Sequence, residues 1–354
     1  MIRVGIVGCG YWGAKHVRNF HELAEADLAL VCDIDEGKLQ HVKSQYPYVA
    51  TTTNFGDLLK DGIDAVVVTT PVNSHYRLAR EALLHNKHVL VEKPLTASSR
   101  QAVDLIELSE KTGRTLMAGH TYEYHPAVDF LRNMIRSGEL GRIYYIDAAR
   151  LNLGLFRPDV NVIWDLAPHD TSIVLSLLDQ EPISVSARGA SCVDCNVHDV
   201  AYMELRFPGE KLAHIHVSWL DPCKVRQITI VGSKKMVIYD DVSDSEKIRV
   251  YDKGIAVPAD DREFSTWPPR YRYGDVTIPY ISNAEPLKLE CAHFLHCIAE
   301  GGKPKSDGWS GLRVVKILES ANRSLSNGGQ REQLEGLSGL APSFVARRSE
   351  GSTQ

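Results

Sequence analysis

Near the start of the chain, "RVGIVGCGYWG" places Gly8, Gly10 and Gly13 in G-x-G-x-x-G spacing. The run before them is β-branched and apolar, and Ala14, Val17, Phe20, Leu23 and Ala24 recur after them at helical spacing. In a strand–turn–helix of this kind the first glycine permits the tight turn and the second lets backbone approach a pyrophosphate. The third lets helix pack on strand, so that N–H groups at the helix N-terminus face phosphate. Asp33 ends the next apolar run about 20 residues beyond the last glycine, where an acidic side chain accepts ribose hydroxyls. Few folds accommodate that arrangement, and the expected one is a doubly wound parallel sheet.

The rest of the first third agrees. "LALVCD", "AVVVTT", "HVLVEK" and "TLMAGH" read as buried strands, and "SHYRLAREALLHN" and "SSRQAVDLIELSEKTG" as the helices between them. After about residue 122 the period changes. A helix, "HPAVDFLRNMIRSGELG", leads into longer alternating strands, among them "RIYYIDAARLN", "VAYMELRF" and "KLAHIHVSWL". In the last of these Ala213, Ile215, Val217 and Trp219 face one way and His214, His216 and Ser218 the other. That alternation predicts a mainly antiparallel sheet covered on one face, its other face available to a second subunit. Residues 253 to 285 are Pro-rich and read as a long surface loop. Two amphipathic helices closed by glycine follow, "PLKLECAHFLHCIAEG" and "GWSGLRVVKILESANRSLSNGG".

The expected organisation is therefore α/β throughout. It comprises a Rossmann domain over residues 1–122, a substrate-binding and oligomerisation domain over 123–340 and a flexible tail over 341–354. With 44% hydrophobic and 24% charged residues and a net charge of -5, the chain has no general electrostatic reason to bind nucleic acid or anionic membrane. No apolar run approaches the roughly 20 residues that cross a bilayer, and no signal-like segment precedes the first strand, so the expected location is cytoplasmic. The seven cysteines are scattered and fit reduced thiols. "CVDCNVH" (Cys192, Cys195, His198) and "CAHFLHC" (Cys291, His293, His296, Cys297) each lack four converging ligands, and no metal is expected.

Tyr11 and Trp12 in the glycine loop, Thr70, Pro71 and His75 after the "AVVVTT" strand, and Glu92 and Lys93 after "HVLVEK" lie at the strand ends where such a sheet binds ligands. Asp33, followed by Ile34 and Asp35 rather than by a basic residue, favours NAD over NADP. An ammonium group such as that of Lys93, at a strand end beside nicotinamide, can stabilise a substrate alkoxide. Pro94 fixes its peptide. In mid-chain "WDLAPHD" sets Asp165 and His169 four residues apart. If a helix begins at Asp165, that residue is its N-cap, Pro168 sits in the first turn, and His169 lies over the same face. A histidine titrating near neutrality suits removal of a carbinol proton. Tyr145, Arg150 and Arg157 lead towards that segment and are candidate substrate contacts.

G-x-G-x-x-G at the N-terminus, E-K-P at the end of the "HVLVEK" strand and D-x-x-x-H-D in the second domain together resemble the Gfo/Idh/MocA oxidoreductases over nearly the whole chain. The resemblance implies hydride transfer between nicotinamide and a sugar or polyol, with Lys93, Asp165 and His169 at the chemistry, Glu92 by the cofactor, and an oligomer formed through the second sheet, dimer or tetramer. Two departures touch the pocket wall. "HTYEYHP" replaces the asparagine-arginine pair of many members, and Ala167 stands where many have glycine. "SWLDPCKVRQITIVGSKKMVIYDD" and "EPLKLECAHFLHCIAEG" look like the branch acting on nucleotide-linked sugars, of the UDP-N-acetylglucosamine 3-dehydrogenase type. An inositol or free-sugar dehydrogenase is the alternative enzyme. An NAD-dependent sensor without catalysis is the alternative of another class, against which stands the retention of both Lys93 and His169.

Overall fold

The computed structural model describes residues 1–154, 156, 160–193, 197–256 and 270–334. Contacts divide the chain into two compact units: Met1–Phe130 with Thr171–Ile173 and Ser282–Lys316, and Leu131–Asp170 with Val174–Ile281 and the chain from Ile317 onward.

In the first unit β1 (Ile2–Val7), α1 (Tyr11–Glu22), β2 (Ala26–Cys32), α2 (Glu36–Gln45), β3 (Ala50–Thr52), β4 (Ala65–Val68), α3 (Val72–Leu84), β5 (His88–Glu92), α4 (Ser99–Thr112) and β6 (Leu116–Gly119) alternate along the chain. The strands form one parallel sheet in the order β3-β2-β1-β4-β5-β6. The chain reverses its direction of winding between β1 and β4, where doubly wound sheets bind ligands at the C-terminal strand ends. Local chemistry sets the boundaries. Asp35 caps α2 by accepting from the Gly37 and Lys38 N–H groups, Ser98 caps α4, and α4 closes on Gly113 in the left-handed region. Val4, Ile6, Val31, Ala65, Val67 and Leu90 bury the sheet completely, each larger side chain contributing about 1.5–3 kcal/mol.

α5 (Pro126–Arg136) leads to β7 (Ile143–Leu151), α6 (Val162–Leu178), β8 (Ser184–Ala190), β9 (Val200–Arg206), β10 (Leu212–Ser218), β11 (Val225–Gly232), β12 (Met236–Asp240), β13 (Ile248–Ala256) and β14 (Arg270–Thr277). α7 (Pro286–Glu300), α8 (Gly308–Ser326) and β15 (Glu332–Gln333) follow. The second sheet has nine strands, ordered β14-β13-β12-β11-β7-β10-β9-β8-β15. It is antiparallel except where β10 runs parallel to β7. Along β10 the alternation is as expected for Ala213, Ile215 and Val217, which are fully buried, but Ser218 is buried too.

Three expectations change. β13 and β14 occupy part of the stretch read as a loop; alternation in "RYRYGDVT" pairs with β13 although the surrounding prolines suggested otherwise. The helix "PLKLECAHFLHCIAEG", assigned from its position to the second domain, packs in the first unit. Its Leu287, Cys291, Phe294 and Leu295 share one core with Val17, Phe20 and Val67, because its apolar face covers α1. α6 begins at Val162 with Asn161 as cap, accepting from the Trp164 N–H, so Asp165 lies inside the first turn and Pro168 in the helix interior. The expected tail, residues 341–354, lies outside the described residues. Among the described residues no helix is long and apolar enough to cross a membrane, and the cysteines are free thiols.

Candidate active site

Two glycines of the loop are required by geometry. Gly8 has φ +96°, and a Cβ there would meet the Thr69 backbone at 2.9 Å; a Cβ on Gly13 would lie 1.9 Å from the Gly8 carbonyl oxygen. Gly10, the N-cap of α1, has open space around its missing side chain and no side-chain cap, which is what a pyrophosphate approaching the helix N-terminus needs. Thr69 completes the turn, its hydroxyl donating to the Val7 and Gly8 carbonyls at 3.0 and 2.6 Å. It escaped the sequence reading because a threonine at a strand end carries no distinctive spacing.

Asp33 is almost buried. One carboxylate oxygen accepts from the Cys9 N–H at 2.5 Å and the other from the Asp35 N–H at 3.0 Å, with the Lys38 ammonium 3.7 Å away. A carboxylate has about four acceptor positions, so two remain for ribose hydroxyls while the other two hold the loop. Burial, followed by the Asp33 charge, pushes the Cys9 thiol up to about 12, so that residue is inert. Tyr11 is exposed at the first turn with the Lys15 ammonium over its ring, whereas Trp12 packs against the core. These features fit a dinucleotide.

At the ends of β4 and β5, Thr70 bonds the Ser74 hydroxyl and Pro71 precedes α3 as its N-cap. His75 is buried, its ring nitrogens 2.6 Å from the Thr70 carbonyl oxygen and 2.9 Å from that of Pro94. Burial lowers its pKa although both carbonyls oppose the shift. It lies between the two strand-end loops, with each ring nitrogen at hydrogen-bonding distance from a main-chain carbonyl. The Lys93–Pro94 bond is cis. Glu92 is likewise engaged within the protein, 2.8 Å from His16 Nε2 and accepting the Lys93 N–H at 3.1 Å.

In the second unit, Asp165 and His169 share one face of α6. Asp165 accepts from the indole N–H of fully buried Trp219 at 3.0 Å, and His169 is 7% exposed. Asp170 receives two hydrogen bonds from the Arg150 guanidinium, at 2.8 and 2.9 Å, in a pair that is almost wholly buried. Two donor groups of Arg150 are thus committed to the helix that carries His169. The cause is strand parity: Ile146, Ala148 and Arg150 face the core side of β7, and Tyr145 and Asp147 the exposed side. Tyr145, half-exposed, therefore faces away from Arg150 and Asp170. Arg157 lies outside the described residues, as does Cys195. Of the cysteines and histidines set aside for metal, Cys291 lies 3.6 Å from His16 Nδ1 and Cys297 3.4 Å from His293 Nε2, each within ordinary packing.

A glycine-loop Rossmann sheet followed by an α/β unit with an open, mainly antiparallel sheet defines an NAD-dependent oxidoreductase. Residues 2–120 match the family model described as oxidoreductase family, NAD-binding Rossmann fold, and residues 128–238 match the corresponding C-terminal domain. The chain belongs to the Gfo/Idh/MocA oxidoreductase family. It is 26% identical to UDP-N-acetylglucosamine 3-dehydrogenase of Acidithiobacillus ferrooxidans, over 89% of this chain and 94% of that one. It is 25% identical to myo-inositol 2-dehydrogenase of Thermotoga maritima, over 92% and 96%. In fold it is similar to GenD2 from gentamicin A biosynthesis, a structure determined in complex with NAD, with a TM-score of 0.80 and 20% identity over 95% of this chain and 97% of that one.

Proposed function

We propose that the chain interconverts a secondary alcohol and a ketone on the sugar of a nucleotide-linked sugar. The observation that supports this reading best is similarity to a UDP-N-acetylglucosamine 3-dehydrogenase along nearly the full length of both chains. NAD, when bound, supplies the hydride acceptor or donor. Gly8 and Gly13 shape the loop in which backbone at Gly10 would approach its pyrophosphate, and Asp33 would hold its ribose. His169 takes the hydroxyl proton as general base, and the Lys93 ammonium stabilises the oxyanion that develops. Asp165, held by Trp219, keeps the face of α6 on which His169 acts. Arg150 and Asp170 fix that helix to β7.

The exposed face of the large sheet, carrying Tyr145, Tyr202 and His214, is read as the surface on which copies of the chain associate, and the setting as cytoplasmic. Substrate class is tested by following NADH formation with UDP-N-acetylglucosamine, other UDP- and GDP-sugars, inositols and free aldoses. The expected outcome is a higher kcat/KM for a nucleotide sugar than for any free polyol. Equal or better turnover of inositol or glucose overturns the reading and favours the alternative represented by the inositol dehydrogenase relative.

A further inference from the structure

Behind Lys93 lies a row of buried polar groups drawn from three elements. His16, on α1 one turn past Gly13, is fully buried and stacks on Phe20. Its Nε2 is 2.8 Å from Glu92 Oε1, and its Nδ1 is 3.6 Å from the Sγ of Cys291 on α7. Glu92 Oε2 accepts the peptide N–H of Lys93 at 3.1 Å. Burial holds the Cys291 thiol protonated. With that proton on sulfur, Nδ1 accepts from the thiol and Nε2 carries the proton towards Glu92. Each donor then points the same way, from thiol to imidazole to carboxylate, and the carboxylate receives Lys93 from its other side.

We propose that His16 is a positioning residue for Lys93, acting through Glu92: it holds the carboxylate in one place so that the Lys93 backbone is fixed and a full negative charge stays beside its ammonium group. The inference rests on the reading of Lys93 as the group next to the reacting oxygen.

The groups around Glu92 and Lys93 support it. His75 from α3 and His120 after β6 face both residues; burial lowers both rings, His120 to about 4, so His120 adds no positive charge near neutrality. Glu290 on α7 is fully buried, accepts from the Thr121 hydroxyl at 2.9 Å, and is kept protonated by burial and by the Glu92 charge. For Glu92 burial acts in the same direction. There the His16 hydrogen bond, the Lys93 ammonium and the Lys93 N–H outweigh it and hold the carboxyl below its ordinary range. Of the two carboxyls facing each other, Glu92 is the one held below its ordinary range, and His16 gives it the first-ranked of the interactions that do so, ahead of Lys93.

A readout independent of substrate tests this. The rate of Lys93 acylation by acetic anhydride is measured by peptide mass spectrometry across a pH series, with exposed Lys303 as internal reference. Glu92→Gln should move the Lys93 midpoint to lower pH by roughly one unit, and His16→Phe, which keeps an aromatic ring on Phe20, should move it the same way. Glu92→Asp keeps a carboxyl but withdraws it from His16, and should therefore move the midpoint in the same direction while lowering kcat about tenfold, the scale of a lost supporting hydrogen bond. Dissociation constants for NAD should stay within about threefold, because no member of the row reads the adenosine half. If His16→Phe does not fold, Glu92→Asp, which keeps a carboxyl and breaks the contact with His16, carries the test. An unmoved Lys93 midpoint in Glu92→Gln, in Glu92→Asp or in folded His16→Phe overturns the proposal. Full turnover by Lys93→Met would instead overturn the catalytic role of the lysine, a separate result.

Discussion

Each unit sets a buried carboxylate one residue from a candidate catalytic group, and the two are held in different ways. Glu92, before Lys93, faces a histidine across one hydrogen bond, in a neighbourhood of groups that burial keeps neutral. Asp170, after His169, faces an arginine through two parallel bonds. A guanidinium keeps its charge at every accessible pH and matches a carboxylate in a planar fork, so Arg150–Asp170 is a fixed strut. An imidazole offers Glu92 a single N–H, so His16–Glu92 is a one-bond hold rather than a fork. On the proposed mechanism both carboxylates are kept still, one by two parallel bonds to a cation and the other by one bond to a ring and one to the Lys93 N–H.

The largest effect that sharpens this contrast is on turnover. Removing the catalytic groups themselves, in Lys93→Ala or His169→Ala, should lower kcat by roughly two to four orders of magnitude with NAD affinity little changed. Asp165→Asn should cost less than His169→Ala, since its carboxylate orients rather than reacts. Full turnover in both alanine variants would remove the chemical reason for comparing the two carboxylates.

The next effect is on stability. Breaking the strut on one side, by Arg150→Met or Asp170→Asn, leaves a buried charge unpaired and should cost about 3–5 kcal/mol in denaturant unfolding. Replacing both with apolar residues should recover a large part of that. If the single variants lose less than about 1 kcal/mol, the pair is not a strut and the two units do not differ in the way described.

The smallest effect is a pH dependence belonging to the first unit. Glu290 has a folded-state pKa well above its ordinary 4.5, so the folded protein binds a proton that the unfolded chain releases above that pH. It therefore subtracts stability progressively as pH rises from about 4.5 towards its folded value, and nothing below. Glu92 has the opposite sign: its lowered pKa adds stability above the unfolded value, which is lost as pH falls through the folded one. Melting temperatures should accordingly show Glu290→Gln gaining on wild type between acid and neutral pH, the gain vanishing near pH 4. A constant difference across the series would mean that Glu290 is ionised in the folded state.

What the sequence alone determined is the nucleotide half: the parallel sheet, the phosphate loop, Asp33 and the E-K-P edge. These are local, because strand, turn and helix follow one another within a few residues, and Gly8 and Gly13 are demanded by the left-handed φ and the close backbone approach of the turn. The D-x-x-x-H face was legible for the same reason, since four residues make one helical turn whatever caps the helix, and the face survived the shift of the helix start to Val162. What only the tertiary structure decided is which polar groups spend their hydrogen bonds inside the protein. Arg150 meets Asp170 only because β7 and α6 bring them together, and His16 meets Glu92 only because β5 lies beside α1. α7 joined the first unit from the far end of the chain because its apolar face matched α1. Partnerships across 20, 76 or 275 residues leave no period or spacing in the sequence. They arise because a buried charge must find a partner and an apolar face must find a cover, and the folded chain alone determines which are within reach.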